Sequence, residues 1–190
     1  MKALQQKILA EGAVYPGNIL KVSSFLNHQI DADFLMEIGE EIARLYKNDK
    51  INKIVTIEAS GIAIAVAVAA KMHVPVVFAK KHQSANIAAD VYTSMVYSYT
   101  HQNQYMAVIA KEFLNPGDRV VIVDDFLARG NALRGLIDII SQADAEVVGI
   151  TAVIEKGFQG GGDKLREEGY RVDSLAVIDS MTDDSVTFRN

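Results

Sequence analysis

The sequence predicts an α/β protein with a central, mainly parallel sheet flanked by helices. Three observations carry that expectation. Four short runs rich in β-branched residues, "KIVTIEA", "VPVVFAK", "RVVIVDD" and "EVVGITAVIEK", have the composition of strands buried on both faces. Segments of helical character alternate with them, and a strand–helix–strand rhythm builds parallel βαβ units. With 49% of its 190 residues hydrophobic, the chain can bury one sizeable core, so residues 1–190 read as a single domain.

Taken in order, "MKALQQKILAEGAVYPG" opens with a short amphipathic helix. It has no continuous apolar run and no small-residue cleavage site, so no secretory signal is expected. "NILKVSSFLNHQID" is too polar for a core strand, yet it contains Leu20, Phe25 and Leu26. After "KIVTIEA", the segment "SGIAIAVAVAAKMH" is small and apolar enough for a helix packed tightly on a sheet. Lys71, His73 and Pro75 interrupt the longest apolar stretch, which excludes a membrane span. "DVYTSMVYSYTHQNQYMAVIA" alternates like a β-hairpin with "THQNQ" at its tip. Such an insertion either extends the sheet or serves as a flap over a site. Beyond "RVVIVDD", "NALRGLIDIISQADA" repeats Leu133, Leu136, Ile137 and Ile140 at helical spacing, and "EVVGITAVIEK" follows as a strand.

A net charge of −5 argues against a general nucleic-acid binder. The absence of cysteine excludes a disulfide framework and thiolate metal sites, and it fits a reducing cytoplasm. The feature that asks for a function is "VVIVDDFLARGN", where Asp124 and Asp125 adjoin as a buried strand surfaces. Neighbouring carboxylates at the edge of a core repel each other and lose hydration. Ligands of an open parallel sheet bind beyond the carboxyl ends of its strands, where this pair is expected. Residues 128–132 lead directly into a helix, so their N–H groups and the helix terminus can hold an anion. Gly130 lets the backbone approach that anion without a Cβ. Carboxylates beside an anion cradle suit a sugar phosphate, whose hydroxyls donate to the carboxylates while the loop holds the phosphate.

"VVIVDDFLARGNA" resembles the phosphoribosyl pyrophosphate (PRPP) motif of the type I phosphoribosyltransferases. "SFLNHQID", "IVTIEASGIAIAVAVA", "VPVVFAKKHQS" and "VIEKGFQGGGDKLREEGYRVDSLAVI" follow the order of the bacterial, xanthine-using branch of that family. The resemblance implies the type I phosphoribosyltransferase fold, with a flexible hairpin at about 88–110 and a hood over the purine from about 13–30 and 156–190. It implies that Asp124 and Asp125 are catalytic and hold the ribose hydroxyls, while Ala128, Arg129, Gly130, Asn131 and Ala132 wrap the 5′-phosphate. Glu58, Ala59, Ser60 and Gly61 resemble the pyrophosphate loop, where relatives hold a non-proline cis peptide, here expected at Ala59–Ser60. Lys80, Lys81 and His82 follow the next strand, where cations could neutralise pyrophosphate.

For the base, the same resemblance implies that Leu20 lines the pocket and Asn27 hydrogen-bonds the 2-oxo side of xanthine. Lys156 would donate to the 6-oxo group and Phe158 would stack on the ring. Arg129 and Ala132 depart from the family, which often carries Thr there, and Ala128 stands where hypoxanthine–guanine enzymes carry an acidic residue. The implied function is purine salvage: xanthine and PRPP give xanthosine 5′-monophosphate and pyrophosphate, with Mg²⁺ entering alongside PRPP. No direct protein ligand to the metal is assigned. A cytoplasmic homodimer is implied, without nucleic-acid or membrane partners. Adenine or hypoxanthine–guanine specificity is the alternative within the class, and a PRPP-sensing transcription regulator is the alternative outside it.

Overall fold

Helix α1 (Lys2–Glu11) ends well before the close of its predicted segment, because Ala13 to Lys21 fold into a two-stranded antiparallel ribbon, β1 (Ala13–Tyr15) and β2 (Ile19–Lys21). The structure is a computed structural model that describes residues 1–81, 90–98 and 103–189. Asp31 then caps helix α2 (Ala32–Leu45), accepting the Phe34 N–H at 3.1 Å and so satisfying one of the free donors of the first turn. Strand β3 (Lys53–Ile57), helix α3 (Ser60–Met72) and strand β4 (Val76–Ala79) form the first βαβ unit. Strand β7 (Arg119–Leu127), helix α4 (Asn131–Gln142) and strand β8 (Glu146–Lys156) form the second. Helix α5 (Gly161–Glu167) leads to β9 (Val172–Met181) and the short β10 (Val186–Phe188).

The sheet runs β10-β9-β8-β7-β3-β4, and every neighbour pair is parallel except β10 on β9. Alternation along β7 explains the layers: Val121 and Val123 face a core shared with α1, α2 and α3, whereas Val120 and Ile122 face one shared with α4 and α5. This is the architecture expected from the sequence.

Several details differ from expectation. The aspartate pair does not end its strand, because Phe126 and Leu127 continue the ladder opposite Ile154 and Glu155. Residues 156–190 do not form a hood as a block. Val172, Leu175, Ala176 and Ile178 bury themselves in the central sheet, which places β9 there. The inserted hairpin is present as β5 (Val91–Ser98) and β6 (Asn103–Ala110), a separate two-stranded sheet. It joins β4 through paired backbone bonds between Lys80 and Val108 (3.0 and 2.9 Å) and packs along α4. His82, residues 88 and 89, and most of the "THQNQ" tip lie outside the described residues. Among the described residues, no helix is long and apolar enough to cross a membrane.

Candidate active site

Because β3, β4, β7 and β8 are parallel, their carboxyl ends share one edge of the sheet. Four segments at that edge carry the residues expected from sequence: Glu58 to Gly61, Lys80 and Lys81, Asp124 to Ala132, and Lys156 to Phe158.

Asp124 is 7% exposed and Asp125 is half-buried. Each spends one oxygen on the next backbone amide: Asp124 Oδ1 accepts the Asp125 N–H (3.0 Å), and Asp125 Oδ1 accepts the Phe126 N–H (2.9 Å). Burial pushes the Asp124 carboxyl well above the ordinary aspartate range, the charge of Asp125 pushes it further, and Lys81 acts against both. Lys81 Nζ also lies 5.4 Å from the ring centre of Tyr105 on β6, whose hydroxyl is raised by burial and by Asp124. Lys81, Tyr105 and Asp124 thus make one electrostatic cluster. Asn27, distant in sequence, reaches this edge and donates its side-chain amide to Asp125 Oδ2 at 3.2 Å.

The Glu58–Gly61 turn connects β3 to α3, and its non-proline cis peptide is Glu58–Ala59, one bond earlier than expected. Glu58 Oε1 accepts the Lys81 N–H at 2.6 Å, tying the two loops together. Gly61 is required here, since a Cβ would overlap Thr56 Oγ1 and stand 3.3 Å from Asp124 Oδ1. That Thr56 hydroxyl is buried and, among the described residues, has no hydrogen-bond partner.

Across from this turn, Gly130 takes φ +81° and delivers the chain into α4. Arg129 is exposed, and the Ala128 carbonyl accepts the Gly161 N–H at 3.1 Å. The Asn131 side chain, expected at the phosphate, instead donates to the Tyr97 carbonyl of β5 at 3.0 Å. It therefore links the loop to the hairpin.

Lys156 closes β8 with its ammonium 5.6 Å from the Phe126 ring centre and donating to the Asn18 carbonyl at 2.9 Å. Burial lowers its pKa. Phe158 stands nearby in sequence on a 3-10 turn (Gly157–Gln159) and is 38% exposed. Two expected residues are placed elsewhere. Leu20 is buried with Val22, Phe25 and Leu26, in the interior of the N-terminal segment, because its apolar side chain completes that small core. Lys80 lines a cavity of about 540 Å³ with Val76, Phe78, Val108, Glu112 and Phe113, which includes neither aspartate. Consecutive residues of an extended strand point to opposite faces, so the two lysines diverge.

Sequence reasoning missed Thr56, Tyr105, Phe126 and the support beneath Ala128. Only the last had a visible signal, the run Gly160-Gly161-Gly162. Among the described residues, no group of three or more His, Cys, Asp or Glu side chains could hold a metal by itself.

Comparison with known proteins agrees with this geometry. Residues 23–180 match the phosphoribosyl transferase domain family. The chain is 54% identical over 191 residues to a protein of Clostridium perfringens named xanthine phosphoribosyltransferase 1, covering 100% of both chains. It is 53% identical over 188 residues to the xanthine phosphoribosyltransferase of Bifidobacterium adolescentis, covering 98% of this chain and 97% of the other. Among solved structures, Giardia lamblia APRTase complexed with 9-deazaadenine superposes with a TM-score of 0.79 at 22% identity, over 94% of this chain and 98% of that one. At that identity the likeness speaks for the fold alone.

Proposed function

The chain belongs to the phosphoribosyl transferase family, and from that membership we propose that it converts xanthine and PRPP into xanthosine 5′-monophosphate and pyrophosphate. Full-length identity of 53–54% to proteins named for that activity supports the reading, and it does not favour the other purine specificities or a transcription regulator. The observation that carries the site assignment is the meeting of Asn27 with Asp125. It puts the residue assigned to the base within hydrogen-bond reach of the residue assigned to the ribose.

In the reaction, N9 of the purine bonds to C1 of the ribose while the C1–O bond to pyrophosphate breaks, and the leaving oxygen takes the electron pair. Asp124 and Asp125 would accept hydrogen bonds from the ribose hydroxyls and favour the positive charge that develops at C1. The amides of residues 128–132 would hold the 5′-phosphate, and those of residues 58–61 the leaving pyrophosphate, so that the reacting atoms stay aligned. Lys81 is the cation best sited for the pyrophosphate, since its charge already reaches Asp124. Two adjacent carboxylates suit a hard cation that brings most of its oxygen ligands from PRPP. Mg²⁺ held there by Asp124 or Asp125 would supply charge neutralisation for the pyrophosphate. The hairpin, tied to the phosphate loop through Asn131, would exclude water, which competes with the purine as nucleophile. The same reading makes the enzyme a cytoplasmic homodimer.

The purine is chosen at Asn27 and Lys156. The Lys156 ammonium would donate to the 6-oxo group, and the Asn27 amide to the 2-oxo group that hypoxanthine lacks. A donor left unpaired costs about 1–3 kcal/mol, so hypoxanthine should be a poor substrate and guanine an intermediate one. Initial velocities with PRPP, Mg²⁺ and each of xanthine, guanine, hypoxanthine and adenine test this. Replacing Asn27 with Ala should damage xanthine use more than hypoxanthine use. A wild-type preference for hypoxanthine, or equal damage to both, removes the xanthine assignment and leaves the transferase.

A further inference from the structure

The support beneath the Ala128–Ala132 loop is built from residues that the reaction does not use. Gly161, the first residue of α5, donates its N–H to the Ala128 carbonyl at 3.1 Å. It sits so close that a Cβ there would overlap the Ala128 oxygen and lie 2.6 Å from the carbonyl carbon of Arg129. Both of those obstacles are backbone, which cannot swing aside as a side chain can. The next residue, Gly162, meets Glu155 in the same way: a Cβ would overlap Glu155 Oε1 and lie 2.8 Å from Arg166 Nη1.

Glu155 is fully buried, one residue before Lys156 and opposite Leu127, the last residue of β7. Arg166 of α5 binds it with both nitrogens, Nη1 to Oε1 at 2.9 Å and Nη2 to Oε2 at 2.8 Å. Ser174 Oγ of β9 adds a third bond at 2.5 Å, and Arg166 also donates to the Val172 carbonyl at 3.3 and 3.2 Å. Burial raises the Glu155 carboxyl, but the Arg166 and Ser174 hydrogen bonds outweigh it and hold the group below the ordinary glutamate range. A two-pronged guanidinium–carboxylate pair fixes orientation as well as distance. It therefore locks α5 against β8 and β9, and α5 in turn presents Gly161 to the loop.

A trans peptide is planar, with its C=O and N–H pointing in opposite directions. Pinning the Ala128 oxygen to Gly161 therefore aims the Arg129 N–H away from α5. We propose that the Glu155–Arg166 pair, acting through Gly161 and Gly162, is the positioning device that holds the Ala128–Arg129 peptide in its phosphate-binding orientation. The inference rests on the proposed PRPP site. Its effect should fall chiefly on PRPP, because the Asn27 amide is held by Asp125 and the Lys156 ammonium by the Asn18 carbonyl, neither of them through α5.

Steady-state kinetics of full-length Gly161→Ala against wild type tests the device. The KM for PRPP should rise by about tenfold, a loss equivalent to one good hydrogen bond. The KM for xanthine should stay within about twofold of wild type. Arg166→Lys keeps the charge but loses the two-pronged geometry, and should raise the PRPP KM by roughly threefold with the same selectivity. It decides the matter if Gly161→Ala does not fold. Arg171→Ala serves as the comparison for a purely structural loss: Arg171 pairs with Asp49 and Asp173 at the opposite edge of the sheet, so its removal should lower the melting midpoint and leave both KM values alone. A PRPP KM that is unchanged in the folded variants, or that rises together with the xanthine KM, overturns the device. Wild type without transferase activity on any purine overturns the underlying reading instead.

Discussion

Asp124 is the residue at which function and stability oppose each other most directly. Its carboxyl is buried beside that of Asp125 and held above the ordinary range, so the folded protein binds that proton more tightly than the unfolded chain. The native state then carries the excess proton, and stability falls as pH rises from the unfolded value through the raised folded one. Asp124→Asn removes the charge and should raise the melting midpoint at neutral pH, with less decline on going from acid to neutral. Turnover should fall at least about tenfold, as expected for losing a charge-assisted hydrogen bond. Asp125→Asn should lose turnover similarly with a smaller stability gain, since it relieves only the repulsion on Asp124 and leaves the burial of that carboxyl in place. Thermal melts across pH and PRPP saturation curves check both, and an Asp124→Asn protein that melts lower and turns over normally contradicts the assignment. At this scale the sequence made the aspartates legible because two adjoining charges after an apolar run are rare. It could not show that Asn27 bonds Asp125, since that contact depends on how the N-terminal segment folds over the sheet.

Among the elements, the hairpin has the most to test. It packs on α4 where Gly135 leaves room for Val96, a methyl of which a Gly135 Cβ would overlap. The Asn131 amide and Gln142 Nε2, which donates to the Thr93 carbonyl at 2.8 Å, hold it along the same helix. Gly135→Leu should push β5 away from α4 and cost about 1–3 kcal/mol through overpacking. If the hairpin shields the reacting ribose, pyrophosphate released from PRPP without xanthine should also rise relative to transfer, by roughly threefold or more. A destabilised variant with an unchanged ratio would limit the hairpin to a structural role. Strands and helices were readable because burial on both faces gives continuous apolar runs and helices give a 3.6-residue repeat. The last segment misled because "RVDSLAVIDS" is interspersed with polar residues, and its place in the sheet is fixed by the neighbouring β8.

Across the whole molecule, the two ends of the sheet have different tasks. At the end away from the aspartates, Lys53 and Asp118 form a buried pair at 2.5 Å. Lys53 also donates to the Phe113 carbonyl (2.7 Å), and Asp118 accepts from Asn52 (3.1 Å) and the Asn115 N–H (2.8 Å). Burial raises the Asp118 carboxyl, but Lys53 and these donors bring it below the ordinary range, so its contribution is present above the unfolded pKa and lost as pH falls through the folded one. Asp118→Ala strands the Lys53 charge and should cost about 3–5 kcal/mol in urea unfolding. Both KM values should stay unchanged, and a shift in either would show that the ends communicate. The docking of α1 has a further consequence, for the order in which the protein is made. Leu4 and Ile8 are buried in the core that contains Leu175, Ala176 and Ile178 of β9. During synthesis the ribosome releases α1 well before β9, so that part of its binding surface emerges only when residues near 178 clear the exit tunnel. Until then the β9-facing side of α1, with Leu4 and Ile8, has only the N-terminal segment and α2 to pack against, and its apolar side chains are open to any chaperone that binds nascent chains.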